Sequence, residues 1–291
     1  YVYGLQSVWL MFGLIFGDFI SSLFVHKNLR KKSQELKVVS FANLVSKWHG
    51  ANYKYVQLFG GFIILIFLST YAAAQLNAGS KSMHILFGLD YRLGAIIGGI
   101  KVLLYCFSGG IRASIWTDAA QSLVMIIAMF LMVFFGIKEL GGFSNFINEL
   151  HKISPDYMKW FPSTKFSEFL LAPYMFIIGW FFSGVGVIGQ PHVMVRFMTI
   201  DNTKNIPKTR IYYYTWYTLF YSLSILAAFV ARLLIPETNN IDPELALPTL
   251  ALNLLPEFFV GVVLAGIFAA TMSTADSQII SCTASITNDL L

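Results

Sequence analysis

The stretch Gly266-Ile-Phe-Ala-Ala-Thr-Met-Ser-Thr-Ala-Asp-Ser-Gln278 decides how this chain is read. It begins as a helix suited to lipid and then places Ser273, Thr274, Asp276, Ser277 and Gln278 at membrane depth. Five oxygen-bearing side chains there cost several kcal/mol unless they bind one another or a ligand. A hydroxyl pair next to an alanine carbonyl suits a small hard cation such as sodium. The alternative for Ser273 or Thr274 alone is a hydroxyl bonded back to the carbonyl one turn earlier, as structural glue. Asp276 shifts the reading toward function.

The rest of the composition sets the same medium. Of 291 residues, 56% are hydrophobic and 12% charged, and Phe, Tyr and Trp number 27, 14 and 6. A soluble domain carries roughly 25% charged residues. Mean hydropathy is +0.65. The formal charge of +5 does not point to nucleic acid, because the basic residues follow the edges of apolar segments. Cys106 and Cys282 lie in apolar stretches and read as free, packed thiols. There is no basic start, short apolar run and small-residue cleavage site of a signal peptide. The chain starts at Tyr1 and stops at Leu291 in what reads as a continuing helix, so an excerpt or a broken gene is expected.

Seven stretches have spanning length, near 4–26, 53–77, 92–110, 114–138, 169–192, 211–235 and 257–282. The third is the weakest because Lys101 interrupts it. Basic residues cluster in alternate linkers: Lys27 to Lys54 after the first segment, Arg112 after the third, and Arg196 to Arg210 after the fifth. The linkers 139–168 and 236–256 are mixed to acidic, with Glu237, Asp242 and Glu244 in the latter. By the positive-inside rule Tyr1 starts outside and Leu291 ends inside. The first outer linker is long enough for a cap with a short helix, and Pro243 and Pro248 frame about one further helical turn in the second.

Other polar residues at depth allow two readings each. Asp118, in Ser114-Ile-Trp-Thr-Asp-Ala-Ala-Gln121, is either a dipole partner in the first turn of its helix or a cation-coupling acid. The four glycines, serine and proline of Gly179–His192 predict a broken helix, as at transporter midplanes, or else close small-residue packing. His192, with no paired nucleophile, reads as interfacial. Tyr71 sits among small residues, either facing a cavity or simply packed. Asp18 and Lys101 are mid-segment charges that either pair, line an aqueous path or, for Lys101, snorkel.

These residues together carry a family pattern. Trp116-Thr-Asp118, Gly189-Gln-Pro-His192 with Arg196-Phe197, and Ala269-Ala-Thr-Met-Ser-Thr274 continuing to Ser285-Ile-Thr-Asn-Asp289 resemble the sodium:solute symporter family, closest to its bacterial sodium/proline branch. The resemblance runs through nearly the whole chain and implies an all-α integral membrane protein, a partial LeuT-like inverted-repeat core of about seven transmembrane helices. Residues 1–291 would form one incomplete transporter domain, matching core helices two to eight and lacking the first core helix and the C-terminal helices. The missing first core helix normally supplies half of the sodium site, so this polypeptide by itself is not expected to transport.

The same resemblance implies roles for single residues. Ala270 would give a carbonyl, and Ser273 and Thr274 hydroxyls, to sodium. A second cation position would use Asp118, Ser273 and Ser277 with Asp276 adjacent, and two carboxylates there could also trap a proton. Tyr71 and Gln190 would meet the solute. Where the proline branch has a tryptophan and a tyrosine before Gly-Gln-Pro, counting back from Pro191 gives Ser183 and Val187. That departure leaves sodium in place but puts betaine, pantothenate or a short carboxylate beside proline as the solute.

The implied function is sodium-coupled symport of a small organic solute, most simply proline, across the bacterial plasma membrane by alternating access. Sodium is the coupling ion, no cofactor is needed, and the partners are sodium, the solute and membrane lipid, with no nucleic acid and no obligate protein partner. A channel or receptor would need a continuous polar pore or a sensor domain. An enzyme built on Asp118, Asp276 and His192 lacks a nucleophile–base pair. A non-transporting fragment of such a symporter is the remaining alternative.

Overall fold

The structure is a computed structural model that describes residues 1–162, 171–235 and 242–291. Its long helices are α1 (Ser7–Leu36), α3 (Lys54–Phe87), α4 (Tyr91–Glu139), α6 (Ala172–Val185), α8 (Ile206–Leu234) and α10 (Glu257–Ser285). Short helices join them: α2 (Phe41–Ser46), α5 (Phe143–Ile153), α7 (Pro191–Met198) and α9 (Ala246–Leu254). Six segments among the described residues are long and apolar enough to cross a membrane: Gly4–Leu36, Lys54–Ile85, Gly109–Glu139, Ala172–Gly189, Thr203–Leu234 and Glu257–Leu290.

The stretch 92–110, third of the seven expected segments, is not one of the six. It is helical and forms the first limb of α4. Gly110, at φ 53° and ψ −143°, breaks α4 into two limbs. Only glycine takes that backbone conformation without strain. The first limb retraces α3: Gly94 lies against Ser80, and Gly98 lies four residues on against Leu76. The helices also outlast their apolar stretches, because α1 runs on through its basic end until Lys37 turns left-handed at φ 51°.

Among their described residues, the linkers 139–168 and 236–256 both carry helix. In the first, α5 buries Phe146 and Leu150 in a core shared with α4, α8, α9 and α10. In the second, Asp242 accepts from the Glu244 backbone N–H at 3.0 Å and starts a short 3₁₀ turn that leads into α9. That hydrogen bond, reinforced by Lys81, holds the Asp242 carboxyl below the usual carboxylate range. Lys81 of α3 pairs with Asp242 at 3.3 Å and also with Glu244. Residues 163–170 and Glu237, on which part of the fifth segment and of the acidic linker were read, lie outside the described residues.

Two close approaches set the bundle. α1 runs beside α6 so tightly that a Cβ on Gly17 would lie 2.0 Å from the Phe181 carbonyl oxygen, and one on Gly13 2.4 Å from Trp180 Cβ. In α10, a Cβ on Gly266 would come within 2.6 Å of Ala128 of α4. Small residues let helices approach closely in lipid, where packing rather than water exclusion drives association. At the basic end, Asp289 is buried and accepts from Ser40 Oγ at 2.5 Å and from Gln57 Nε2 at 3.1 Å. The turn that follows α10, Ile286–Leu290, is thereby fastened to the linker between α1 and α3 and to the start of α3.

Because the obstacle at Gly17 is backbone rather than a movable side chain, Gly17→Leu is expected to force α1 and α6 apart. The expected loss is ~1–3 kcal/mol, the usual cost of overpacking, read as a lower midpoint of thermal unfolding in detergent. An unchanged midpoint would refute the contact.

Candidate functional site

The sequence places Ala270, Ser273, Thr274 and Ser277 at i, i+3, i+4 and i+7, one face of α10. In the structure these four line one wall of a cavity of about 720 Å³. The other walls come from Asp118 and Ser122 of α4, His192 and Arg196 of α7, and aromatic residues of α8 that include Tyr213 and Trp216. Asp118 and the α10 hydroxyls therefore line the same cavity.

Each α10 hydroxyl donates back along its own helix. Ser273 and Thr274 both donate to the Ala270 carbonyl at 3.1 Å, and Ser277 donates to the Thr274 carbonyl at 2.9 Å. The structural-glue reading thus holds for the protons, while the oxygen lone pairs stay available to a cation. The Ala270 carbonyl already accepts from two hydroxyls, so it is a more crowded ligand than its position suggested. Among the described residues, no three His, Cys, Asp or Glu side chains gather to hold a metal ion. Hydroxyl and carbonyl oxygens of this kind suit a hard monovalent ion rather than a transition metal.

Arg196 organises the acids. Its guanidinium pairs with Asp118, donates to Ser114 Oγ at 3.3 Å and reaches Asp276 Oδ1 at 3.7 Å. Asp276 is 0% exposed and Asp118 is 13% exposed, so both carboxylates need a cation beside them. The sequence reading used Arg196 only to orient the chain and as part of a motif. The available signal was that two acids at depth demand a countercharge, and Arg196 follows the predicted helix break directly.

That break is real. α6 ends in a 3₁₀ turn over Gly186–Gly189, Gln190 is extended at φ −93° and ψ 107°, and Pro191 opens α7. Proline suits a first helical position because it has no N–H to satisfy. His192 is buried, because this break turns α7 into the bundle. His192 borders the cavity of about 720 Å³ and also a second, mostly apolar cavity of about 610 Å³ that includes Tyr71 and Gln190. Tyr71 meets the His192 ring edge-on, with centroids 6.0 Å apart.

The remaining predicted residues separate from these groups. Ser183 is exposed on α6 and Val187 is buried in the 3₁₀ turn, and neither lines these two cavities. Asp276 and Gln278 are buried outside the cavity lining. Lys101 is exposed, whereas Asp18 is buried between α1 and α8, facing Tyr213 and Tyr214.

Fold and site together define a multi-pass helical membrane protein with an oxygen-lined, acid-flanked cavity beside a broken helix. All 291 residues match the Sodium:solute symporter family, and the chain belongs to that family, whose members are transporters rather than enzymes. It is 29% identical over 99% of its length to the sodium/proline symporter of Haemophilus influenzae, covering 58% of that protein. It is 28% identical, again over 99% of its length, to the high-affinity proline transporter PutP of Bacillus subtilis, covering 60% of it. The chain thus spans less than two thirds of the curated relatives it matches. Its fold is shared with a substrate-bound, outward-open Na+-coupled sialic acid symporter, with a TM-score of 0.77 at 18% identity over 98% of this chain and 63% of that one. The apolar bundle and these relatives place the chain in the bacterial cell membrane.

Arg196→Gln is expected to cost about 2 kcal/mol, below the ~3–5 kcal/mol of a fully buried pair because Arg196 is 30% exposed. Adding Asp118→Asn should recover part of that loss in thermal unfolding, since the unpaired charge is then gone. Strictly additive losses would refute the coupling.

Proposed function

We propose that the protein containing this chain is a sodium-coupled symporter of a small organic solute, with proline as the first candidate. The observation that carries the reading is the convergence of Ser273, Thr274, Ser277 and Asp118 on one cavity around Arg196. With both acids ionised, Asp118, Asp276 and Arg196 sum to a single negative charge, which favours the arrival of one monovalent cation. Ala270, Ser273 and Thr274 are the proposed sodium ligands. Asp118 and Ser277, with Asp276 behind them, are the proposed second cation position. Sodium is cargo here, and no resident cofactor is invoked.

The solute is proposed to meet Tyr71 and Gln190 across the second cavity, with Ser183 and Val187 as the residues that distinguish this chain from the proline branch. Betaine, pantothenate or a short carboxylate is the alternative solute, and a non-transporting fragment the alternative state. We also read the whole chain as one LeuT-like domain in which the first limb of α4 crosses the membrane as a seventh helix, since it runs antiparallel to α3. Sodium moving inward down its gradient would stabilise the outward-open arrangement, and closure would carry ion and solute together. One charge moved inward yields about 2.3 kcal/mol per 100 mV.

The deciding experiment is radiolabelled proline uptake by the complete gene product in proteoliposomes under an imposed sodium gradient, with potassium as control. Sodium-dependent accumulation supports both coupling and proline. Accumulation of betaine, pantothenate or acetate instead moves the solute and keeps the coupling. Thr274→Ala should raise the sodium concentration for half-maximal uptake about tenfold, equivalent to ~1.4 kcal/mol for one lost oxygen ligand. Asp276→Ala with unchanged sodium dependence would remove Asp276 from the second position.

A further inference from the structure

Asp18 takes no part in the site described above, yet it is among the most deeply buried charges in the chain, at 1% exposure. It lies eleven residues into α1, about 17 Å along the helix at ~1.5 Å per residue, too deep for a short carboxyl to reach water by snorkelling. The residue before it, Gly17, is pressed against the α6 backbone, which fixes the rotation of α1 and directs position 18 into the bundle. Among the described residues Asp18 forms no salt bridge. An ionised acid left unpaired in such a place is strongly disfavoured, whereas a neutral carboxylic acid is not.

The groups that face it are nearly all phenols. On α8, Tyr213 and Tyr214 lie next to the carboxyl, with Tyr217 close behind. Neither Asp18 oxygen receives a hydrogen bond of normal geometry. Arg210 of α8 donates to the Ser22 carbonyl of α1, one turn on from Asp18, at 2.9 Å. α6 offers Phe181 and the Gly184 backbone where it meets this part of α1, and its only titratable side chain, Tyr174, is exposed in its first turn. His26 lies two turns further along α1, stacked on Phe197 of α7 with centroids 3.6 Å apart.

A phenol donates to a carboxylate and accepts from a carboxylic acid, so it serves either state of Asp18. Tyr213, Tyr217 and Tyr221 also recur every four residues on one face of α8, with ring centroids 5.5 Å and 4.8 Å apart in sequence. Tyr213 and Tyr221 both line the cavity that holds Asp118 and Ser273. Tyr213 therefore lies near the buried acid and also lines the cavity.

We propose that Asp18 is a proton-binding site that exchanges its proton with the cavity through Tyr213. In release, the Asp18 O–H bond breaks as its proton passes to the Tyr213 oxygen, while the phenol's own proton leaves to a cavity water. The carboxylate then carries the negative charge and the water the positive one. Binding is the reverse, and no other reactant is required. Where the sodium-coupled transport reading holds, the proton is a second coupling ion alongside sodium.

The test has two arms. In the first, which needs no transport, infrared difference spectra of the purified complete gene product are taken between acidic and alkaline buffer. A protonated-carboxyl band is expected, part of which is missing in Asp18→Asn. After a pH jump, its exchange in Tyr213→Phe is expected to slow about a hundredfold, the lower range for a lost proton relay. An identical band in Asp18→Asn, or wild-type exchange in Tyr213→Phe, overturns the site. If Asp18→Asn fails to insert, the exchange rate of Tyr213→Phe decides alone. In the second arm, an inside-alkaline proton gradient is imposed without a sodium gradient. Stimulated uptake that is lost in Asp18→Asn supports coupling, and sodium-driven uptake with no proton stimulation overturns it. Absence of any solute uptake defeats the transport reading, while the spectra still judge the site.

Discussion

Charge inside an apolar bundle has to be answered by charge, and Arg196 meets that constraint for two helices at once. It stands between Asp118 on α4 and Asp276 on α10 and reaches Ser114 as well. Without it, two carboxylates would face one low-dielectric space, and one would have to neutralise or the helices separate. The position of α7, the face α10 shows to the cavity and the depth of Asp118 all follow from satisfying that trio. The cavity exists because the cation comes from a separate short helix, which leaves room beside it.

The short helix in turn depends on the backbone. A continuous helix from Ala172 would carry residue 196 along the α6 axis and past the acids. The glycine turn and the extended Gln190 redirect the chain, and Pro191 restarts it. Tight packing of α1 on α6 holds the upper half still, so the redirection falls on α7. Small residues thus do two different things here: along α1 and α10 they let helices touch, and at 186–189 they let one helix stop.

Much of this was legible in sequence, and the misses have physical causes. The broken fifth segment, the outer helical caps and the shared face of Ala270, Ser273, Thr274 and Ser277 follow from composition and helical period, which are local properties. The division of the third and fourth segments near Gly110 was also visible, because the glycine-rich run before Arg112 marks the break. The placement of Arg196 and His192 beside the acids was not legible, because it depends on where a helix points after a break, which no local pattern encodes. Asp18 was visible as an anomaly without a partner, since its neighbours lie nearly two hundred residues away on α8. Counting back from Pro191 placed Ser183 and Val187 in register, but register does not fix which face a 3₁₀ turn presents.

The fastening at the basic end has a mechanical side. Asp289 closes α10 onto Ser40 and Gln57, and Ser40 also caps α2 by accepting from the Asn43 backbone N–H at 3.1 Å. One hydroxyl thus starts a helix and grips the tail of another. A swing or twist of α10 around its hydroxyl face would pull through these hydrogen bonds on α2 and on the foot of α3, as a crank moves its connecting rod. The linker between α1 and α3 is therefore a lever arm, and a probe attached to α2 would register the attitude of α10 from outside the bundle.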